Sequence, residues 1–375
     1  MSEDASTREL ELLARAVELA EQGRGRVSPN PLVGAVITRD GEVIGEGWHH
    51  RYGDAHAEVE AIASAGGPGA TVGATMLVSL EPCCHEGKTP PCTDAIVEAG
   101  ISRVLFASDD PSTKASGRGP GNLRDEGIEV VSVTGEIRSR AKAINQPFRK
   151  HAQTGRPWVL SKSAMSLDGK VASATGDSKW ISGEQSRKLV HRWRAELDSV
   201  AVGIGTALSD DPQLTARDIE VERQPRRIVF DSAGRLSVDS KLVSEAAVSP
   251  LTVVVGRGAD RGQLSAIEAH GAEVIVATGE NEAARVVSAL DQLGALGVTS
   301  LLLEGGPRLA GAFLDAGEID ELRVFIAPIL IGARSARDPF EGAGSDSVAE
   351  AVQLPKVEVE QIERDILVTS RLREW

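Results

Sequence analysis

Cysteine is scarce in this chain, with three in 375 residues. That excludes a disulfide framework, which needs many cysteines in a small secreted domain, and points instead to metal binding or catalysis. Long apolar runs are missing too. No stretch of about 18 apolar residues occurs, so no membrane span is expected. The stretch MSEDASTREL is acidic and has no apolar centre, so no secretory signal is expected there and the reading is of a cytoplasmic protein. Basic residues are outnumbered: 41 Lys and Arg stand against 55 Asp and Glu, a net charge of −14. A surface of that sign repels polyanions, so neither nucleic acid nor a membrane is expected as partner, and a small molecule is; a homo-oligomer stays open. Internal repeats and low-complexity tracts are also absent.

What is present suits a globular α/β protein, with 41% hydrophobic and 26% charged residues. The length suggests about two domains. Ser6 and Glu9 form a capping box for a helix whose apolar face is Leu10, Leu13, Val17 and Ala20. LVGAVIT and EVIGEGW flank Arg39-Asp40-Gly41, a hairpin signal. Beyond it the pattern predicts helix 56–65, strand 74–80, helix 92–99, strand 103–108, a helix ending near 126, strand 128–133 and a helix over 135–149. The alternation predicts a mixed sheet between helices. Gly155 and Pro157 then break the pattern, so the junction is placed between domains 1–151 and 152–375. The second half reads as a largely parallel sheet: strands WVLSKSA, SVAVGIGT, RRIVFD, LTVVVG, AEVIVATG, SLLLEGG and ELRVFIAPIL, with helices over 184–196, 281–294 and 307–316.

All three cysteines lie within EPCCHEGKTPPC, shortly after His56-Ala57-Glu58. His56, Cys83 and Cys92 offer one imidazole and two thiolates, a soft set suited to zinc, and a catalytic zinc typically takes three protein ligands. Glu58, two residues past a ligand, falls near the metal's open position, where a carboxylate can take a proton from an activated water. This is the zinc deaminase pattern. A structural site closed by Cys84 or His85 is the alternative. In the second half, VAVGIGTALSDDP fails as a dinucleotide fingerprint because Leu208 stands where a third glycine is needed. SLLLEGGPRLAG is better: a strand runs through Gly305-Gly306-Pro307 into a helix whose free N–H groups can meet a phosphate, although an ordinary tight turn reads the same way.

SPNPLVGAVI, GWHHRYGDAHAEVEAI, LEPCCHEGKTPPCTDAI and ASGRG resemble the deaminase half of the bifunctional riboflavin-biosynthesis deaminase/reductase family. SAMSLDGKVASATGDSKWISG, GIGTALSDDPQLTAR and EGGPRLAGAFL resemble its reductase half. The resemblance implies a cytidine-deaminase-like three-layer α/β/α domain followed by a dihydrofolate-reductase-like α/β domain, with Zn2+ and NADPH as cofactors. It implies deamination of a diamino-ribosylamino-pyrimidinone 5′-phosphate and reduction of its ribosyl chain to ribityl. Carried onto this sequence, it makes Asn30 and His49 grips on the pyrimidine and Lys88 a phosphate contact. Taken alone, Asn30 reads as a turn residue and His49 as a polar strand end. Ala164, Trp180, Thr206, Asp210 and the turn Gly306, Pro307, Arg308, Leu309, Ala310, Gly311 would line the NADPH cleft. Ser178, Arg194, Leu214, Arg217 and Glu304 would hold the ribosyl phosphate, with Lys162 as a catalytic candidate. From the residues alone, Arg194 is a solvated helix charge and Arg217 a loop charge. The family usually has Ser where Cys84 stands, and often Asn where Ser112 stands. Two other readings compete: a nucleoside or transfer-RNA deaminase with a non-reducing second domain, and a non-catalytic zinc-stabilised nucleotide-binding protein, which would have no use for Glu58.

Overall fold

The computed structural model describes residues 5–113, 115–219 and 221–375; the acidic MSED start lies outside them. The chain divides into two compact units, one running to Thr154 and including Trp375, the other Gly155–Glu374.

The first unit contains α1 (Thr7–Ala20), β1 (Gly34–Arg39), β2 (Glu42–Trp48), α2 (Ala57–Ser64), β3 (Thr75–Leu80) and α3 (Cys92–Glu98). It continues with β4 (Arg103–Ser108), α4 (Arg118–Asp125), β5 (Glu129–Ser132), α5 (Glu136–Ile144) and α6 (Gln146–Thr154). The Ser6 hydroxyl accepts from the Glu9 N–H at 3.3 Å and the Glu9 carboxylate from the Ser6 N–H at 2.7 Å, so the expected capping box forms. Asp40 (φ 52°) and Gly41 (φ 85°) make the two-residue turn between β1 and β2, a left-handed pair that glycine eases. The sheet order is β2-β1-β3-β4-β5, antiparallel up to β3 and parallel beyond it. Strand alternation sends Ala35, Ile37, Met76, Val78, Val104 and Phe106 toward α2, α3 and α4. Val36, Leu77 and Leu105 face α1 and α5 instead. This is the three-layer sandwich expected.

One feature of β2 sets the first unit's packing. A Cβ on Gly45 would come within 2.4 Å of the Ala61 carbonyl oxygen, and one on Gly47 within 2.4 Å of the Ala61 nitrogen and 2.7 Å of the Ala57 oxygen. The two glycines therefore let α2 lie directly on the strand. The helix expected over 135–149 is two helices. At Asn145 the chain leaves helical geometry, and the Asn145 amide exchanges two hydrogen bonds with the Leu32 backbone, at 2.8 and 2.9 Å. The second of these helices runs through Thr154, so the division between units falls three residues beyond the expected 151/152 junction.

The second unit contains β6 (Trp158–Ser166), α7 (Glu184–Glu196), β7 (Ser199–Gly203), α8 (Ile204–Asp210), β8 (Arg226–Phe230), α9 (Lys241–Ser244), β9 (Leu251–Val255) and α10 (Arg261–Ala269). Then come β10 (Glu273–Val276), α11 (Glu282–Ala295), β11 (Ser300–Leu303), α12 (Pro307–Asp315), β12 (Glu321–Ala327), β13 (Val357–Ile362) and β14 (Asp365–Arg371). The sheet order is β10-β9-β8-β7-β11-β6-β12-β14-β13; the first seven are parallel and the last two antiparallel. Val159, Ala201, Ile228, Val254 and Leu301 pack under α11 and α12. Their neighbours Leu160, Val200, Val229, Val253 and Leu302 are equally buried on the other face, which is why these strands read as unbroken apolar runs. The strand expected through Thr206 stops at Gly203, where α8 begins.

Gly47→Ala should destabilise the first unit by roughly 1–3 kcal/mol and lower its metal content, since α2 must shift to admit the methyl group. Gly69→Ala, with nothing within 4 Å of its Cβ, serves as control and should change stability by less than about 0.5 kcal/mol. Urea titration with metal analysis checks both; equal stability and equal metal in the two variants would refute this role for Gly47.

Candidate functional site

His56 is the residue immediately before α2, Cys92 opens α3, and Cys83 lies on the segment leaving β3. Two helix N-termini and one strand end thus deliver the three side chains to one point. His56 Nδ1 lies 3.2 Å from Cys92 Sγ and 3.5 Å from Cys83 Sγ, and the three ligand atoms all fall within 4.8 Å of one another. Tetrahedral zinc with Zn–S of about 2.3 Å and Zn–N of about 2.0–2.1 Å needs ligand-to-ligand edges of roughly 3.5–3.8 Å, so the set fits after a small adjustment. The Cys92 N–H points at Cys83 Sγ, 3.4 Å away. Thr89 Oγ1 meets His56 Nε2 at 3.3 Å and keeps the ring turned with Nδ1 toward the sulfurs. The hydrogen bond from Cys92 pulls the Cys83 thiol down, and Cys92 is correspondingly pushed up. Neither Cys84 nor His85 belongs to the cluster among the described residues, so the four-ligand structural alternative gains no support.

Glu58, in the first turn of α2, is 3% exposed. Burial, reinforced by the Cys83 charge, pushes its carboxyl up to about 7. A carboxyl poised there can both take and give a proton near neutral pH. His49 is buried, which pulls its pKa down and keeps it neutral. Its Nδ1–H donates to the Ala55 carbonyl at 3.0 Å, leaving Nε2 to accept from the Asn30 amide at 3.1 Å. The His49 and His56 rings meet edge to face with centroids 5.2 Å apart, so Asn30 and His49 adjoin the cysteine–histidine cluster. Lys88 stands on the exposed loop before α3, its Nζ 3.9 Å above the Tyr52 ring. Glu81, which the sequence reading did not single out, accepts from the Gly117 N–H at 2.6 Å and the Asp110 N–H at 3.4 Å, and so anchors both residues. Gly119 explains part of ASGRG, because a Cβ there would come within 2.1 Å of the Pro82 carbonyl oxygen. Ser112 donates its N–H to Asp110 Oδ1 at 2.7 Å, a local turn bond.

In the second unit, Glu304 follows β11, Lys162 lies on β6 and Arg194 comes from α7. Arg194 grips Glu304 with both edges of its fork, Nε–Oε1 at 2.6 Å and Nη2–Oε2 at 2.9 Å, and its Nη1 donates to the Thr215 carbonyl at 3.1 Å. This corrects the picture of Arg194 as a solvated helix charge: two residues expected to hold substrate hold each other, with side chains only 13% and 10% exposed. Burial works to raise Glu304, but Arg194 outweighs it and holds the carboxyl below its usual range. Burial lowers Lys162, against the pull of Glu304. His191, unassigned from sequence, joins this group. It accepts the Arg217 N–H at 3.2 Å, and burial, then the Arg194 and Arg217 charges, push its pKa down.

The remaining residues surround the carboxyl ends of these strands. Ala164 is near the end of β6, Ser178 and Trp180 lie between β6 and α7, and Trp180 is exposed with the Arg187 guanidinium 4.6 Å from its ring centroid. Thr206 and Asp210 are on α8; a Cβ on Gly306 would sit 3.4 Å from the Thr206 hydroxyl. Gly306 precedes α12 and Pro307 opens it. Arg308 reaches Glu282, Leu309 packs partly into the core, and Ala310 is buried. Gly311 is small because a Cβ would lie 2.2 Å from the Glu341 carbonyl oxygen, a packing demand. Leu214 is buried at φ 56°, while Arg217 is exposed and bonded to Gln213 at 2.6 Å. Strand order reverses around β7, β11 and β6, the place where open α/β sheets bind ligands.

Comparison with known proteins agrees with this geometry. Residues 6–108 match the model of the cytidine and deoxycytidylate deaminase zinc-binding region, and residues 157–368 that of the RibD C-terminal domain. The chain is 39% identical to riboflavin biosynthesis protein RibD of Actinobacillus pleuropneumoniae, over 96% of this chain and 94% of that protein. It is 38% identical to RibD of Escherichia coli (strain K12), over 94% and 96%. Acinetobacter baumannii RibD, form 1, superimposes with a TM-score of 0.85 at 36% identity, covering 97% of this chain and 98% of that one. A diaminohydroxyphosphoribosylaminopyrimidine deaminase/5-amino-6-(5-phosphoribosylamino)uracil reductase from Thermotoga maritima does so with a TM-score of 0.83 at 36% identity and the same coverage. A zinc-binding deaminase region therefore precedes a reductase region that takes a nicotinamide cofactor, and the chain belongs to the RibD family of bifunctional deaminase–reductases of riboflavin biosynthesis.

Proposed function

We propose that the first unit hydrolytically deaminates a diaminohydroxyphosphoribosylaminopyrimidine and that the second reduces the resulting 5-amino-6-(5-phosphoribosylamino)uracil with NADPH, turning its ribosyl chain into ribityl. The observation that carries this reading is the buried, near-neutral Glu58 beside His56, Cys83 and Cys92. In this reading those three would hold zinc, which would supply an acidified water. Glu58 would take one proton from the attacking water and pass it to the ring nitrogen, then take the second from the resulting hydroxyl and pass it to the amino group, which leaves as ammonia. Asn30 and neutral His49 grip the pyrimidine, His49 through the Nε2 that the Asn30 amide gives up to it, and Lys88 leaves the Tyr52 face to meet the substrate phosphate. Ala164, Trp180, Thr206, Asp210 and the Gly306–Gly311 turn line the NADPH cleft. Ser178, Leu214 and Arg217 hold the ribosyl phosphate together with the N–H groups that Arg194 does not spend on Glu304. Lys162 faces the reacting sugar. No helix among the described residues is long and apolar enough to cross a membrane.

Cys83→Ser and Cys92→Ser should lose zinc, and Cys84→Ser should keep it. Glu58→Gln should keep zinc and fold but lose deamination by at least ~10²–10⁴, since an amide cannot relay the proton. That variant should still oxidise NADPH when given the deaminated substrate. Ammonia release near the wild-type rate from Glu58→Gln would refute the proton role; zinc lost from Cys84→Ser but kept by Cys83→Ser would move the ligand set by one residue.

The Arg194–Glu304 pair makes a separate prediction. Arg194→Ala strands a largely buried carboxylate, 10% exposed, and should destabilise by up to ~3–5 kcal/mol in urea titration. Arg217→Ala should stay within about 0.5 kcal/mol of wild type while raising the KM for the deaminated substrate. Equal stability of the two variants would contradict the buried pairing.

A further inference from the structure

A fully buried carboxylate of the second unit has no part in the assignments above. Asp365, the first residue of β14, is 0% exposed. Its Oδ2 accepts the Gly183 N–H at 2.7 Å and the Ser186 hydroxyl at 2.6 Å. Its Oδ1 accepts no hydrogen bond among the described residues and lies 3.8 Å from the Arg364 Nε. Burying a carboxylate is costly, and this one directs both of its bonds to the start of a single helix. Gly183 precedes α7 and has no side chain with which to cap it, and Ser186 is the third residue of that helix. A carboxylate placed there satisfies N–H groups that the helix leaves open and meets the positive end of its dipole. Asp365 thus does from a strand 182 residues away in sequence what a local Ser or Asp usually does.

The helix connects this cap to the reductase cleft. Ser178 and Trp180 lie on the segment that ends at Gly183. Arg187 ties that segment to α7, its Nη1 donating to the Ser182 carbonyl at 2.7 Å and its guanidinium lying against the Trp180 ring. Further along α7, His191 accepts the Arg217 N–H, Trp193 stacks on Phe325 of β12 with centroids 5.5 Å apart, and Arg194 grips Glu304. Trp193 and Arg194 fix the far end of the helix. From Gly183 to Arg194 it rises about 16 Å at 1.5 Å per residue. The near end needs an anchor of its own, and Asp365 supplies it.

We propose that Asp365 is a positioning residue of the reductase. By capping α7 from β14 it fixes where the 178–183 segment meets the helix, and so holds Ser178, and Arg217 through His191, at the spacing that the ribosyl phosphate requires. The inference rests on the reading that the second unit reduces a phosphoribosylamino-pyrimidine through those residues.

The test is steady-state reduction of the deaminated substrate by the full-length wild type, Asp365→Ala, Ser186→Ala and the exchange Asp365→Ser/Ser186→Asp. Ammonia release by the first unit is measured on the same preparations, and rates are expressed per folded protein. The exchange moves the carboxylate onto the third position of the helix, from which it can reach back to the Gly183 N–H as in a capping box. Asp365→Ala should raise the KM for the deaminated substrate roughly 10- to 100-fold, the scale of a displacement of about 1 Å in a positioned site. Its kcat should stay within about threefold, because binding common to ground and transition states is what is lost. Ser186→Ala removes one bond of the two and should raise KM roughly two- to tenfold. The exchange should bring KM back to within about threefold of the wild type. Ammonia release should be unchanged throughout. A purely structural Asp365 would lower the folded fraction and leave the KM of the folded protein alone. Folded Asp365→Ala with the wild-type KM, or an exchange variant as impaired as Asp365→Ala, overturns the proposal. If Asp365→Ala does not fold, Ser186→Ala decides, and a wild-type KM there overturns the proposal. A wild type that does not reduce the substrate removes the reductase reading and this inference with it.

Discussion

The deaminase site depends on how closely α2 lies against β2. With Gly45 and Gly47 bearing no side chain, the helix backbone touches the strand, and His56 at its start is carried to the thiols that β3 and α3 deliver. The same contact puts Glu58 in a dry position one half-turn on, and dryness is what moves its carboxyl toward neutrality. A bulkier strand would lift the helix, wet the carboxyl and spread the ligands. Packing, the closeness of His56 to the two thiols and the proton affinity of Glu58 are thus one constraint seen three ways. His49 shows the same economy: its bond to the Ala55 carbonyl, in the loop just before His56, fixes its tautomer and leaves its other nitrogen to Asn30.

The second unit solves a different problem, placing charges where a parallel sheet ends. Glu304, Lys162 and Arg194 would be costly to bury singly. Together they offset one another, and the fork geometry of Arg194 fixes the Glu304 carboxylate in the cleft. Such a pair adds little net stability compared with apolar packing, but it holds polar groups in fixed positions. His191 and the loop of Leu214–Arg217 are drawn in by the same charges.

Much of this was legible locally. The capping box at Ser6, the Asp40-Gly41 turn and the His-x-Glu followed by Pro-Cys each carry their signal within a few residues; the first two form as read, and His56, Cys83 and Cys92 come within 4.8 Å of one another. What escaped was long-range or lacked the usual residues. The β13–β14 hairpin turns at Glu363 (φ 52°) and Arg364 with no glycine or asparagine to mark it. α10 begins at the Asp260 cap, whose carboxylate accepts from the Gln263 N–H at 3.0 Å, but it follows a loop without apolar periodicity. The break at Asn145 depends on Leu32, far away in sequence, and the loss of Arg194's solvated character depends on Glu304. Gly45 and Gly47 read as strand residues of no special kind until the helix they admit is in view.

The central claim is an open, three-ligand zinc site served by Glu58. X-ray absorption at the zinc edge of the purified protein tests it most directly. The account predicts two sulfur scatterers at about 2.3 Å, one imidazole nitrogen at about 2.0–2.1 Å and one further light atom from solvent. A shell with three sulfurs, or with two imidazoles and two sulfurs, would mean that Cys84 or His85 closes the site, and would contradict it.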